Sequence, residues 1–407
     1  MLQFKPLPTV RPILAALAIS LVSINAGAQD GQWDDILQEA SGQQVYFNAW
    51  GGSDVINDYI LWAADEVAER YGIVLEHVKV GDTGDVVSRV LAEKSAGRDS
   101  GGTVDLVWIN GENFRAMKEQ ELLLPPWTDQ LPNYELLDFD NKPTLTMDFS
   151  TPVDNMEAPW GMAQLTFMYD SARVDTPPDS MEDLLTFAQA SPGRVTYPAL
   201  PSFYGTTFVK QAMLELADDP AVFYEPVEAI DDPAAALEPL WAFLDDLHAV
   251  AWQQGRAFPQ DAPQMKQMLN DGEILLSLSF NPNDASNAIL TGELPDTVRT
   301  YVHSDGTIGN THFLAIPYNA RAPEAAMVVA NFLMSPEAQA RKADIEIWGD
   351  PTVLAVDQLS RDQQQLFADI ERGPAGLSEE ALEAVLLEPH ASWVPLLEDE
   401  WQRRYAR

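Results

Sequence analysis

Val45-Tyr46-Phe47-Asn48-Ala49-Trp50-Gly51-Gly52-Ser53 runs from an apolar segment straight into a glycine turn, and an amphipathic stretch starts at Asp54. Ile56, Ile60, Ala63, Val67 and Tyr71 then recur three or four apart, the period of a helix with one buried face, and Gly72 follows as a stop. The spacing predicts strand, turn and helix, with Ser53 as the N-cap. Such a junction aims free backbone N–H groups out of the carboxyl end of a sheet, where open α/β proteins hold small ligands. It recurs at Asn110-Gly111-Glu112-Asn113, at Tyr204-Gly205-Thr206-Thr207 and at Asn281-Pro282-Asn283-Asp284. One copy is a plain connector; copies in both halves of the chain point to a cleft.

Around these junctions strands and helices alternate. Ile73 to Val80 is a strand, Gly81-Asp82-Thr83-Gly84-Asp85 turns into a helix, and Val104 to Ile109 is a nearly continuous apolar strand, as in a buried parallel sheet. Leu122 to Pro152 is rich in Pro and Asp and reads as irregular. An extended run from Ala163 to Tyr169 reads as a crossing between lobes. A second α/β pattern follows, with strands at Arg194–Tyr197 and Ile274–Phe280 and an amphipathic helix marked by Leu237, Leu240, Leu244, Leu247 and Ala251. Thr311 to Ile316 is a strand, Pro323 to Met334 a helix, and the acidic tail is helical, with Trp393, Leu396, Leu397, Trp401 and Tyr405 packing onto a lobe. The expected division is 1–28 leader, 29–160 first lobe, 161–308 second lobe, 309–347 first lobe again and 348–407 a helical part of the second lobe.

The bulk numbers fit this. A chain of 407 residues exceeds one ordinary core, and two lobes follow. Lys5 and Arg11, the apolar run Ile13 to Ile24, and Ala26-Gly27-Ala28 make a secretory leader cleaved after Ala28. There is no Cys, hence no disulfide and no thiol chemistry. Without the leader's two bases, 22 Lys and Arg face 63 Asp and Glu, a charge of −41. Such a surface repels nucleic acid and anionic lipid. The acids are spread along the whole chain, which fits general solubility.

The order of the pieces resembles the extracellular solute-binding proteins of ATP-driven importers, the group that includes maltose-, iron- and thiamine-binding proteins, and looks closest to the YnjB-type periplasmic component. The resemblance rests on Val104-Asp105-Leu106-Val107-Trp108, on the Trp160-Gly161 to Tyr169-Asp170 crossing, on Phe313-Leu314-Ala315-Ile316-Pro317, and above all on Asn331-Phe332-Leu333-Met334-Ser335-Pro336-Glu337-Ala338-Gln339. It covers nearly all of the mature chain. It implies a type II periplasmic-binding-protein clamshell, with mixed sheets flanked by helices and hinge strands between the lobes. It also implies a periplasmic monomer that closes on a small-molecule ligand and docks on ABC permease subunits in the inner membrane, with no cofactor and no metal.

The junctions then supply a candidate site. Trp50, Gly51, Gly52, Ser53, Asn110, Gly111, Glu112 and Asn113 would line the first lobe, facing Tyr204, Thr206, Thr207, Asn281, Asn283 and Asp284 of the second. Glycine permits close backbone approach, and Ser, Thr and Asn supply adaptable donors and acceptors. The plain alternative is that Ser53, Thr206 and Asn283 are merely helix caps. Trp50, Trp160 and Trp348 offer flat faces for a ring or a cationic head, whereas Trp108, inside a strand, reads as core. Helix N-termini favour an anionic group, while Trp and acids favour a cationic one; a zwitterionic or thiamine-like solute reconciles them. The five His are scattered, with no zinc spacing, and no nucleophile elbow or phosphate loop is present. The reading is a non-enzymatic binding protein. An exported acidic hydrolase acting on a sugar or ester is the alternative.

Overall fold

The structure is a computed structural model that describes residues 31–406, apart from 369, 371–372, 379–380 and 383–384. The expected leader and its cleavage after Ala28 lie outside those residues. Among the described residues eleven strands follow in chain order: β1 Gln44–Trp50, β2 Val74–Val80, β3 Leu106–Ile109, β4 Met147–Asp148, β5 Thr151–Pro152, β6 Glu157–Gln164, β7 Thr166–Asp170, β8 Leu276–Ser279, β9 Val298–Tyr301, β10 Thr307–Ala315 and β11 Val385–Leu386.

The first lobe is built on a mixed sheet of order β11-β10-β3-β1-β2, with β6 also paired to β10; β11 joins it only at the start of β10, on the second-lobe side. β1 runs parallel to β2 and β3, and β10 runs antiparallel to β3 and β6. Parallel pairing needs crossover helices, and the sequence supplies them at Asp54–Tyr71 and Thr83–Ser95. Val45, Phe47 and Ala49 of β1 are fully buried against Ile60, Ala63 and Val67 of the first of these helices. Gly72 ends that helix in the left-handed region at φ +68°, its N–H bonded to the Ala68 carbonyl.

The second lobe has the antiparallel sheet β8-β7-β9, covered by the helices Met181–Ala190, Phe203–Leu216 and Glu238–Val250. Trp393, Leu397 and Trp401 of the C-terminal helix Trp393–Tyr405 join its core, while Leu396 stays exposed. No strand forms at Arg194–Tyr197: Val195 accepts one bond from Trp252 N and Arg194 one from Leu275 N, too few to make a ladder.

The lobes are joined through β6 and β10. Beyond Gln164 the chain enters the second lobe, where Leu165 N bonds Ile308 O at 2.7 Å. Ala163, Leu165 and Ile308 belong to the second core, whereas Ala158 and Leu314, farther along the same strand pair, belong to the first. The extended run from Ala163 is therefore the crossing, and it continues as β7. The packing departs from the expected division after residue 347. Trp348, Val353, Leu354 and Leu359 are apolar and complete the first core, and the helix Arg361–Ala368 packs on Pro336–Ala343. Only from about Ala375 does the chain join the second core.

Candidate functional site

Between the lobes lies a cleft of about 800 Å3. A second hollow of about 440 Å3 adjoins it and shares Trp50, Gly51, Gly52, Tyr204, Asn281 and Trp348.

The first-lobe wall begins where β1 ends. Gly51 N bonds Val80 O at 3.1 Å, and the Asn57 side-chain amide holds the Gly51 carbonyl at 3.1 Å. A Cβ on Gly51 would stand 2.7 Å from Lys79 Cβ, so glycine is required for this approach. The indole of Trp50 folds back over Gly52, leaving no room for a side chain there. Ser53 makes no capping bond; its residue lines the smaller hollow. Farther along, Gly111 adopts φ +61°, and its N–H donates to Asp148 Oδ2 at 2.6 Å. Glu112 and Asn113 face the cleft beside it, with Asn113 Nδ2 bonded to Glu112 Oε1 at 3.2 Å.

The second-lobe wall is set by the helix Phe203–Leu216. Ser202, not Thr206, is its cap, accepting from Gly205 N at 3.2 Å. Thr206 instead donates across to Glu398 Oε1 of the C-terminal helix at 2.8 Å. Lys210, one turn on, is buried and bonded to Glu388 at 2.6 Å, and Glu388 also accepts from Asn310. Asn281 and Asn283 donate to the Trp348 and Gly349 carbonyls of the first lobe at 3.0 and 2.7 Å. Ser53 and Asn283 occupy the N-cap positions of their helices but make no side-chain cap bond, whereas Thr206 lies inside its helix and is no cap.

Trp108, His312, Trp348 and Asp350 form the floor. The Trp108 and Trp348 rings are 5.8 Å apart, and His312 stacks parallel to Trp348 at 6.4 Å. Asp350 accepts from His312 at 2.8 Å and from Lys342 at 2.6 Å. Burial pushes the Asp350 carboxyl up, but Lys342 and His312 outweigh it and hold the group below its usual range. Glu398 goes the other way. Burial pushes it up to about 7; the Thr206 hydroxyl pulls it back in part, and the nearby Glu112 and Asp82 carboxylates add to the rise. Burial also raises Glu112, against a lowering pull from Lys210.

The structure thus brings Trp50, Gly51, Gly52, Asn110, Glu112, Asn113, Tyr204, Thr206, Asn281 and Trp348 to the cleft, and Ser53 and Asp284 to the hollow beside it. Four expected residues stand off the walls. Gly111 is buried under Phe149, and Thr207 turns inward to the Phe203 carbonyl. Asn283 is engaged with Gly349. Trp160 is fully buried behind the floor, 5.1 Å edge-on from Trp108. Trp108, read as core, instead reaches the cleft, because it lies near the carboxyl end of β3, next to the Asn110 junction that opens on the cleft. Asp82, Asp85, His312, Asp350 and Glu398 are lining residues that the site reading missed. Asp82 and Asp85 sit on a junction of the same kind, Gly81-Asp82-Thr83, so a signal existed; Glu398 lies on a helix whose pattern announces only packing.

The sequence profile of the bacterial extracellular solute-binding proteins matches residues 62–365. The Escherichia coli K12 protein YnjB is 45% identical over 388 residues, covering 95% of this chain and 97% of that one. Among solved structures, the Tp0655 (TpPotD) lipoprotein of Treponema pallidum superposes with a TM-score of 0.64 at 12% identity, over 88% of this chain and 98% of that one. A putative spermidine/putrescine ABC transporter protein of Listeria monocytogenes gives 0.62 at 16%, over 88% and 98%. The periplasmic binding protein AfuA of Actinobacillus pleuropneumoniae, with fructose-6-phosphate bound, gives 0.62 at 14%, over 89% and 99%.

Proposed function

The chain belongs to the bacterial extracellular solute-binding proteins, with the type II clamshell fold of that group, and from this premise we propose that it captures one small solute in the cleft between its lobes and presents it to the permease of an ABC importer. The observation that carries the reading is the origin of the walls. Trp50, Asn110 and Glu112 come from the first lobe and Tyr204, Thr206 and Glu398 from the second, so a solute touching both binds the closed form better than the open one and shifts the population toward it. The protein works as a monomer in the periplasm after losing its leader, and it releases the solute unchanged. The relatives' named ligands, polyamines and a sugar phosphate, differ too much to assign one here. The hydrolase alternative gains no support, since the family and the relatives described above are binding or transport proteins.

Native mass spectrometry of gently purified protein tests this, together with solution scattering before and after the co-purified molecule is removed. A bound molecule whose removal expands the particle supports the proposal. A compound that is chemically converted during incubation, or a bound molecule whose loss leaves the scattering unchanged, overturns it.

A further inference from the structure

The charges on the cleft wall do not balance. Asp82, Asp85, Glu112, Asp261 and Glu398 line it, together with an Asp350 already paired with the buried Lys342, against Lys79, Lys210 and His312. The bases are already engaged or remote. Lys210 is bonded to Glu388 and lies 4.1 Å from the centre of the Phe149 ring. His312 is bonded to Asp350, and Lys79 is exposed at the rim, where solvent screens it. Glu112 and Glu398 are half-buried, and among the described residues their side-chain hydrogen bonds are to neutral groups, Asn113 Nδ2 and Thr206 Oγ1.

The helix ends that would draw an anion are occupied or opposed. The Gly111 N–H is held by Asp148, the Gly84 N–H by Asp82 and the Gly205 N–H by Ser202. The helices Asp54–Tyr71 and Asp284–Leu290, which like Gly111–Glu119 have no side-chain bond from the N-cap residue, each open on an aspartate. The partial positive charge of these termini is therefore met within the chain, and the two conflicting sequence signals resolve in favour of the acids.

We infer that the solute is an organic cation whose charged nitrogen sits between Glu112 of the first lobe and Glu398 of the second, with its apolar part over Trp50, Trp108 and Trp348. The inference rests on the cleft being the solute site. Two carboxylates from opposite lobes repel each other when the cleft closes empty; a cation between them turns that repulsion into attraction. The same group thus supplies affinity and favours closure. The indole faces suit a cation and the carbon skeleton next to it.

The test is a thermal-shift and calorimetric titration with putrescine, choline and phenethylamine as cations, succinate and phenylacetate as anions, and erythritol and phenethyl alcohol as neutral compounds. A cation should raise the melting temperature and bind more tightly than its anionic and neutral counterparts. Glu112→Gln and Glu398→Gln should each weaken that cation about tenfold while melting no lower than the native protein. Tighter binding of succinate or phenylacetate, or cation affinity unchanged in both variants, overturns the charge assignment and leaves the cleft as the solute site. No shift with any compound, and no co-purified molecule by native mass spectrometry, overturns both readings.

Discussion

The side-chain amide of Asn281, just past β8 in the second lobe, donates to the backbone carbonyl of Trp348, part of the first lobe's core, at 3.0 Å. Asn283 and Asn287 repeat the arrangement on Gly349 at 2.7 Å and on Ile345 at 2.8 Å. Gly349, at φ +78°, is needed here, because a Cβ would stand 2.7 Å from Asn283 Cβ. Since Trp348 also lines the cleft, these bonds tie the relation of the lobes to the site. Replacing Asn281 and Asn283 together by Ala removes the two hydrogen bonds to Trp348 and Gly349, about 1 kcal/mol each, besides the local bond from Asn283 N to Asn281 Oδ1. The solute-free variant should show a larger radius of gyration by solution scattering than the native protein. An unchanged radius would show that these amides do not hold the lobes together.

Trp50 and Trp160 separate binding from stability. Trp50 is half-buried on the cleft wall, and Trp160 is fully buried behind the floor. Trp50→Ala should weaken solute binding in calorimetry with little change in melting. Trp160→Ala leaves a cavity among Phe47, Tyr59, Trp108 and Trp348 and should cost about 3–5 kcal/mol in denaturant unfolding. A stable Trp160→Ala protein would mean that the aromatic cluster repacks.

The Lys342–Asp350 pair is fully buried, and Lys342 also donates to the Trp160 carbonyl. Lys342→Met strands the Asp350 carboxylate with only His312 for a partner and should destabilise by about 3–5 kcal/mol. Lys342→Met combined with Asp350→Leu should recover part of that loss. Denaturant midpoints of both variants decide it; equal loss in the two would mean that the packing of Lys342, not its charge, matters.

Glu398 makes the empty protein sensitive to pH. Its folded carboxyl titrates at about 7 against an ordinary 4.5, so the folded state takes up the proton more readily than the unfolded one. Its contribution to stability is full below about 4.5 and is lost as the pH rises through about 7. Glu398→Gln should remove that loss, so the variant should melt higher than the native protein at alkaline pH, by about 2–4 °C for each kcal/mol recovered. Parallel melting curves for the two proteins across this range would show that Glu398 is not the group responsible.

The chain itself determined the alternation of strands and helices, the Gly51-Gly52 turn and the strand that carries the lobes' connection, because each rests on local spacing and on residues with few backbone options. Local spacing also marked Trp50, Glu112, Tyr204 and Asn281, each at the end of a strand or the start of a helix. Tertiary structure decided the rest. Trp160 and Trp108 sit in apolar strands that flank β10 in one sheet, and only the packing of Phe47, Tyr59 and Trp348 around Trp160 buries it fully while Trp108 keeps a face on the cleft. Residues 348–367 carry a pattern that suits either lobe, and the unfilled face of the first core drew them there. Glu398 lies 192 positions from Thr206, and no sequence period spans that distance. The sign of the cleft's charge depends on which acids meet a base and which meet only neutral groups, and that is fixed when the two lobes pack.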